Sequence, residues 1–299
     1  MSKNHCISNK TLTAIVSSWL QFTKFTPNPN HEKKYIFLVV LSVLSSCKVN
    51  QLTGKKTFNV FSNKQLFPMA FSQYESFLKE HPVIRNTSES QNIKDIGGRI
   101  AKAAQLYFEY KGAPNYLKEY AWEYNLVQND QRNAWCMPGG KIVFYTGILP
   151  VAANSDGIAA IMGHEVAHAL LDHGGQRMSL SLAQQGLNLV ALKATEKQPE
   201  KKRKAILTAY GLGSTVGAVL PFSRKHESEA DKIGLELMIL AGYSPQEAPL
   251  LWERMRAASG GKAPPELLST HPSSQRRIDN LKRWIPEAQK KAAEIQSRE

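Results

Sequence analysis

The sequence predicts an α+β domain that is mostly helical, with a small β-sheet or hairpin ahead of a central helix. Residues 92–110 repeat apolar side chains at helical spacing. Residues 133–137 and 141–146 are typical of two strands joined through a Pro-Gly-Gly turn. From residue 155 onward almost all of the chain has helical patterns. At 299 residues the chain is long enough to bury a sizeable core.

One stretch near the start is typical of a secretory signal. Two lysines precede an apolar run at residues 35–44, which is too short to span a bilayer, and small residues follow it. Residues 44–47, Leu-Ser-Ser-Cys, resemble a bacterial lipobox, whose cysteine is lipidated and becomes the new N-terminus. We therefore expect residues 1–46 to be a lipoprotein signal region that is removed. Residues 47–70 are then an irregular tether, lipidated at Cys47.

The folded domain is expected to begin at residue 71. Helical patterns occur at residues 71–80, 92–110, 155–173, 224–240, 245–258 and 274–298. Strand patterns occur at residues 120–128, 133–137 and 141–146. Ser155 and Asp156 can cap the third of these helices, and Pro286 is expected to interrupt the last.

Two stretches between the third and fourth helices need separate interpretation. Residues 196–204 are charged, contain Pro199 and predict an exposed loop. Their basic residues 201–204 favour a solvated surface over a nucleic-acid patch. Residues 205–220 are apolar with three glycines and predict a helix packed in the core, with a membrane-apposed element as the alternative.

The composition restricts which partners the chain can bind but says little about its fold. The formal net charge is +13. The first 46 residues contain five lysines and one glutamate, so the rest of the chain carries +9. This charge is spread along the chain without a recognition motif, so we expect no nucleic-acid partner. Three cysteines, Cys6, Cys47 and Cys136, cannot form a disulfide framework.

Residues 164–168, His-Glu-Val-Ala-His, give the clearest indication of chemistry. His164 and His168 are about one helical turn apart, so both imidazoles project from one face and can bind a single zinc ion. Glu165 lies about 100° around the helix from His164. There it can act as a general base beside the metal without binding it. We therefore expect one Zn²⁺ per chain.

A catalytic zinc site needs a third protein ligand, and the residues that follow the motif do not supply it. On a continuing helix His173 would point away, about 180° from His164. Leu171 and Gly174 stand where the metzincin pattern requires a glycine and a third histidine. The third ligand is therefore expected from elsewhere in the chain.

Residues 223–231 contain the best candidates for this ligand. Glu227 and Asp231 are one turn apart on the same helix face. Glu227 can therefore bind the metal while Asp231 accepts an imidazole N–H, which fixes the orientation of a ligand histidine. His226 and Glu229 are not excluded by this reasoning.

Together these motifs resemble the gluzincin metallopeptidase family that includes the CAAX prenyl protease and HtpX, and within it the bacterial lipoprotein branch of LoiP and BepA. Further stretches that carry the resemblance are residues 133–142, residues 220–224, and residues 269–272 with Arg277 and Ile278. It covers roughly residues 47–285. The sequence shows no counterpart of the BepA repeat domain or of the HtpX membrane spans, so LoiP is the nearest model.

The resemblance implies a zincin-like metallopeptidase domain at residues 71–299. It implies the zinc ligands His164, His168 and Glu227, and the general base Glu165. Asp231 matches an acid that orients a zinc-bound histidine. His271 matches a histidine that steadies the tetrahedral intermediate or caps the zinc in a closed state. Arg277 either stabilises anionic charge or holds the His271 loop.

The expected activity is zinc-dependent hydrolysis of peptide bonds, with the hairpin at residues 133–146 offering an edge strand to an extended substrate. The expected substrates are unfolded or misassembled envelope proteins. The expected location is the bacterial outer membrane, facing the periplasm and anchored through Cys47. The alternative function is a chaperone or assembly factor of the outer membrane with a closed or regulatory zinc site. The presence of Glu165 argues against a purely structural metal.

Overall fold

Two small sheets and a series of helices make up residues 47–215, 219–258, 271 and 275–298, which the computed structural model describes. The strands are β1 (Cys47–Val49), β2 (Lys56–Phe58), β3 (Val83–Ile84), β4 (Glu123–Val127), β5 (Ala134–Met137) and β6 (Lys141–Tyr145). The helices are α1 (Asn63–Glu80), α2 (Ser88–Tyr110), α3 (Leu149–Ala152), α4 (Ser155–Leu170), α5 (His173–Ala194), α6 (Glu200–Ser214), α7 (Leu220–Leu240), α8 (Glu247–Ala257) and α9 (Gln275–Gln296). The predicted mostly helical α+β class is confirmed.

The larger sheet has four strands in the order β3-β4-β6-β5. β4 runs parallel to β6, whereas β3 and β5 run antiparallel to their neighbours. The predicted hairpin is confirmed as β5 and β6, with Gly139 and Gly140 at positive φ in its turn. β5 is an edge strand, and it packs against α4.

Helix α4 lies at the centre of the core. All of its residues from Gly157 to Leu170 are buried, because α2, α7 and α8 pack around it. A helix that is buried on every side is normally apolar all round. Its buried polar residues His164, Glu165 and His168 therefore need a function or a hydrogen-bonding partner. Asn154 caps the start of the helix, and its side chain accepts a 2.8 Å hydrogen bond from the backbone N–H of Gly157.

Helices α4 and α7 cross with their backbones in contact at a pair of glycines. A Cβ atom on Gly234 would lie 2.8 Å from the backbone nitrogen of His164. A Cβ atom on Gly163 would lie 2.7 Å from the carbonyl oxygen of Gly234. Both distances are well inside van der Waals contact, so a larger residue at either position would push the helices apart. The two glycines therefore bring His164 close to the helix that carries Glu227.

Residues 48–70 differ from the irregular tether that the sequence predicts. β1 and β2 pair with each other, and α1 begins at Asn63, before the expected start of the domain. The buried Asn50 side chain donates a 3.1 Å hydrogen bond to the carbonyl oxygen of Leu170, and Leu52 belongs to the main core. This segment packs on the domain because its few apolar and amide side chains find partners there.

Three further local predictions are also wrong: one helix end, one loop and one helix interruption. α4 ends at Leu170 rather than near residue 173, because Asp172 adopts a left-handed conformation with φ of 58°. The basic residues 201–204 lie on α6 and not in a loop, since Pro199 is compatible with a helix start just after it. Pro286 does not interrupt α9, which has buried apolar side chains on both sides of that position.

The helix predicted to pack in the core at residues 205–220 does not do so in its described part. The side chains of Ile206 and Leu220 are 39% and 44% exposed. The apolar residues Leu187, Leu189 and Val190 of the preceding helix α5 are more than half exposed as well. Among the described helices, none combines the length and apolarity needed to cross a bilayer.

Candidate metal centre

Four buried side chains converge between α4, α7 and the approach to α9. His164 and His168 come from α4, Glu227 comes from α7, and His271 lies four residues before α9. Each offers one donor atom, and these atoms all lie within 4.8 Å of one another. The four residues are 4–6% exposed, so water contributes little to their solvation.

The spacing of these donors fits one zinc ion. Zinc bonds of about 2.0–2.1 Å in a tetrahedron place neighbouring ligand atoms roughly 3.3 Å apart. The Nε2 atoms of His164 and His168 are 3.1 Å apart. His164 Nε2 lies 3.4 Å from Glu227 Oε2 and 3.3 Å from His271 Nδ1. Imidazole and carboxylate donors are also those that zinc prefers, so the residues present fit the ion.

Glu165 lies beside this cluster without belonging to it. Its carboxylate is 4% exposed, and its Oε1 atom is 3.6 Å from His271 Nε2, too far for a hydrogen bond. Burial and the nearby charge of Glu165 together raise the pKa of the Cys136 thiol. Cys136 lies on β5, the edge strand that packs against α4, the helix that carries Glu165.

Asp231 and Arg277 form a buried ion pair that contacts the ligand residues His164 and Glu227. Arg277 donates from Nε and Nη2 to the two oxygens of Asp231, both at 2.7 Å. Its Nη1 atom lies 3.1 Å from Glu227 Oε2 and donates a 3.3 Å hydrogen bond to the carbonyl oxygen of His271. Asp231 Oδ1 is 3.1 Å from His164 Nδ1. The guanidinium therefore faces protein carboxylates and the His271 backbone.

The buried charges keep both carboxylates ionised. Burial alone raises the pKa of Glu227, but hydrogen bonds from His164 and His271 outweigh it and leave that pKa well below its ordinary value. Burial likewise raises the pKa of Asp231, yet the charge of Arg277 brings it below the usual range. Burial lowers the pKa of His164, but Asp231 and Glu227 raise it to about 9. The centre is thus an environment that attracts a cation.

A second histidine cluster contacts the side of His168 that faces away from the donor cluster. The Nδ1 atoms of His173 and His168 are 2.8 Å apart. His173 is fully buried and stacks on His226, with ring centroids 3.9 Å apart. Its Nε2 atom lies 3.6 Å from Glu229 Oε2. His226 and Glu229 therefore face His173 rather than the donor cluster, whereas Glu227 faces the donors.

The contact of His173 with His168 was missed by sequence reasoning, which continued α4 through residue 173. Leu170 ends the helix and Asp172 turns the chain, so His173 starts α5 with its ring directed back at His168. The signal for this break was Gly174 and Gly175, since two consecutive glycines disfavour the middle of a helix.

The structure brings together most of the expected site residues: His164, Glu165, His168, Glu227, Asp231, His271 and Arg277. The other motif residues around His271, at positions 269, 270 and 272, lie outside the described residues. The side chain of Cys47 also lies outside them.

Comparison with known proteins identifies relatives of this arrangement. Residues 88–285 match the model of peptidase family M48. The chain is 40% identical over 177 residues to the mitochondrial metalloendopeptidase OMA1 of Schizosaccharomyces pombe, covering 58% of this chain and 50% of the relative. It is 34% identical to the Saccharomyces cerevisiae OMA1 over 224 residues, covering 73% and 60% of the two chains. It is 28% identical to the beta-barrel assembly-enhancing protease of Escherichia coli over 204 residues, covering 66% of this chain and 39% of the relative. The chain thus spans 50–60% of the length of the two yeast relatives.

These relatives correct the predicted location and branch. The OMA1 relatives at 40% and 34% identity are mitochondrial by name, whereas the bacterial protease is more distant at 28%. The prediction of a bacterial outer-membrane lipoprotein facing the periplasm is therefore wrong, and the LoiP branch is not supported as the nearest model. The basic, apolar and small-residue pattern before Cys47 is a compositional signal that does not by itself identify the compartment. Removal of residues 1–46 and lipidation of Cys47 stay predictions.

The wider family resemblance is confirmed. The matched region begins with α2 and ends within α9, so it contains the zinc-fitting donor cluster, Glu165 and the supporting pair of Asp231 and Arg277. The chain belongs to peptidase family M48, a family of zinc-dependent metallopeptidases.

Proposed function

We propose that this chain is an active zinc metalloendopeptidase that cleaves extended segments of unfolded or misassembled polypeptides. One observation carries this proposal: a buried carboxylate, Glu165, stands beside a zinc-fitting donor cluster and is not one of its donors. A metal that only stabilised the fold would not need this acid, whose burial costs free energy. Protein quality control is the corresponding biological role. The mitochondrial setting of the OMA1 relatives replaces the bacterial envelope in this proposal.

In this proposal His164, His168 and Glu227 hold the zinc. Zinc, when bound, polarises the scissile carbonyl and lowers the pKa of water. Glu165 accepts the proton of the attacking water and delivers it to the leaving amine. Asp231 orients the ring of His164.

Arg277 has a positioning role in this proposal. Its guanidinium pairs with the carboxylate of Asp231 and donates to the carbonyl oxygen of His271, so it does not face a substrate. Arg277 therefore holds His271 in place and does not stabilise an anionic substrate. Arg277 also keeps the carboxylates of Asp231 and Glu227 charged and fixed.

The substrate class follows from the edge strand β5. An extended peptide can add to β5 through main-chain hydrogen bonds, which require no particular side chains. The strand packs against α4, the helix that carries Glu165, and we propose that a peptide bound along the strand passes near that carboxylate. Folded proteins rarely present such segments, whereas unfolded or misassembled chains do. Polypeptides are therefore the proposed partners.

The first test measures zinc content and casein cleavage in the wild type and in Glu227→Ala. We expect one zinc per wild-type chain, and weakened zinc binding with loss of cleavage in the variant, because the charged donor is removed and only histidine donors remain. The matched control is Glu236→Ala, which removes another buried glutamate of α7 that bonds Tyr107 away from the cluster. A wild type that binds no zinc, or a Glu227→Ala variant that binds it as tightly as the wild type does, would contradict the assignment.

His271 is proposed to close the site in the resting protein. Its Nδ1 atom is 2.9 Å from Glu227 Oε2 and 3.3 Å from His164 Nε2, so it occupies the place of a fourth donor. A catalytic zinc must leave one position open to water or substrate. His271 must therefore withdraw before a peptide can bind.

His271→Ala is accordingly expected to keep its zinc and to cleave casein about tenfold faster or more, since minor open states are typically populated at roughly 0.1–10%. His81→Ala, a half-buried histidine of the α1 terminus, is the matched control. Slower cleavage by His271→Ala with zinc retained would instead assign His271 to the transition state.

The same closed geometry favours a second candidate function, that of a chaperone or assembly factor with a closed zinc site. All four donor positions are then filled by protein side chains. A Glu165→Gln protein that still suppresses aggregation of an unfolded client would support this candidate. Loss of the cellular function in Glu165→Gln would support the peptidase.

A further inference from the structure

We propose that His173 and Glu229 form a proton-directing pair that positions His168 for the metal. Resting on the proposed zinc site, this inference assigns a role to two residues that are neither ligands nor bases. The two zinc-binding histidines would then be fixed by different means. His164 faces Asp231 directly, at 3.1 Å, whereas His168 reaches the Glu229 carboxylate through the ring of His173.

The position of the proton on His168 decides which of its nitrogens can bind a metal. Its Nε2 atom faces the donor cluster, 3.1 Å from His164 Nε2. To bind a metal through Nε2, a neutral imidazole must carry its proton on Nδ1. The group that faces His168 Nδ1 is His173 Nδ1, at 2.8 Å. A hydrogen bond at this distance needs one donor and one acceptor. His173 must therefore accept at Nδ1 and carry its own proton on Nε2.

The surroundings of His173 favour this tautomer. Its Nε2 atom is fully buried without a hydrogen-bond partner among the described residues, and Glu229 Oε2 lies 3.6 Å from it. That distance exceeds a hydrogen bond, but a carboxylate there still attracts an N–H and repels a bare nitrogen lone pair. Lys55 donates a 2.9 Å hydrogen bond to Glu229 Oε1, which holds the carboxylate charged and directs its other oxygen toward His173.

A second contact keeps the His173 ring in place. Gln176 donates from Nε2 to the carbonyl oxygen of Leu171 at 2.7 Å, so its Oε1 atom is the one that faces His226 Nε2 at 3.1 Å. His226 must then donate from Nε2. Its ring lies parallel to that of His173, with an interplanar angle of 10°, and restricts rotation about the His173 side chain.

The chain of contacts thus selects one state of His168. Glu229 favours the Nε2–H form of His173, His173 then accepts from His168 Nδ1, and His168 Nε2 is left bare toward the cluster. The opposite arrangement, with His173 donating from Nδ1, would place the His168 proton on Nε2 and oppose metal binding. His173 and Glu229 are positioning residues in this scheme, because neither touches the substrate.

The test is the zinc dissociation constant, measured by chelator competition at one pH. His173→Phe keeps an aromatic ring on His226 but removes both nitrogens. We expect it to weaken zinc binding about 10- to 100-fold, the usual effect of removing such a partner. His173→Asn, whose amide oxygen can accept from His168, should restore most of the affinity. Glu229→Gln should weaken binding less than His173→Phe does.

The control is Glu287→Gln, which breaks an exposed ion pair between α9 and Lys232 of α7, outside the donor cluster and the His173 contacts. A zinc affinity in His173→Phe within roughly twofold of the wild type would overturn the inference, since the expected loss is at least tenfold. A wild type that binds no zinc at all would instead overturn the proposed function.

Nuclear magnetic resonance of the ¹⁵N-histidine-labelled, zinc-loaded wild type keeps the inference testable if the His173 variants fail to fold. We expect His173 to show a protonated Nε2 and a bare Nδ1, and His168 to show a protonated Nδ1. A His173 ring with its single proton on Nδ1 would overturn the inference. A purely structural role for His173 predicts no fixed tautomer and no effect on zinc affinity.

Discussion

Replacing Glu165 with glutamine is expected to lower kcat for peptide hydrolysis by about 10²–10⁴-fold, the usual contribution of a general base. The amide has nearly the same shape as the carboxylate but cannot accept the proton of the attacking water. Zinc content should stay at one per chain, because Glu165 is not among the donor atoms that converge on the site. The measurement is casein cleavage together with zinc content.

Two comparisons make this result specific to the base. Glu236→Gln changes a second buried glutamate, which bonds the hydroxyl of Tyr107, and should leave kcat close to the wild-type value. Measuring Glu165→Gln also in the His271→Ala background separates loss of the base from closure of the site. Cleavage by Glu165→Gln at the wild-type rate would remove Glu165 from the mechanism.

Replacing Arg277 with methionine is expected to lower the free energy of unfolding by about 3–5 kcal/mol, the usual cost of leaving a buried charge unpaired. Arg277 is 5% exposed and makes two 2.7 Å hydrogen bonds to Asp231. Methionine fills similar volume against Trp252, over which the guanidinium lies at 4.0 Å. It leaves the carboxylates of Asp231 and Glu227 without their buried cation.

Urea unfolding of chelator-treated protein measures this effect without a contribution from bound zinc. Arg276→Met is the matched control, since Arg276 is the neighbouring residue and is exposed. We expect the Arg276 variant to change stability by less than about 0.5 kcal/mol, as surface substitutions usually do. A similarly small loss for Arg277→Met would show that the pairing with Asp231 contributes little.

The local part of the site could be predicted from the sequence, and the long-range part could not. His164, Glu165 and His168 follow from the periodicity of one helix, which fixes their relative directions. Periodicity says nothing about which helix faces them, so Glu227, His226 and Glu229 could not be separated by spacing alone. The resemblance to a family favoured Glu227, and the crossing of α4 and α7 provides the physical reason.

The errors in the predicted fold have one common cause: local patterns were extended without knowledge of the packing. The helix through residue 173 ignored the break at Asp172, and with it the contact between His173 and His168. The tether expected before residue 71 packs on the domain, because Asn50 and Leu52 find partners far away in the sequence. Pro286 does not interrupt its helix because tertiary packing holds both halves in line.

The contact between Gly163 and Gly234 has a consequence for the thermodynamics of metal binding. Two helices whose backbones touch cannot move closer, and the surrounding core prevents them from separating without loss of packing. The ligands on α4 and α7 are therefore held at their mutual distance before any metal arrives. Binding then orders few additional degrees of freedom, so most of the interaction free energy is available as affinity. We expect the metal-free protein to keep its fold, unlike small zinc domains whose folding depends on the ion.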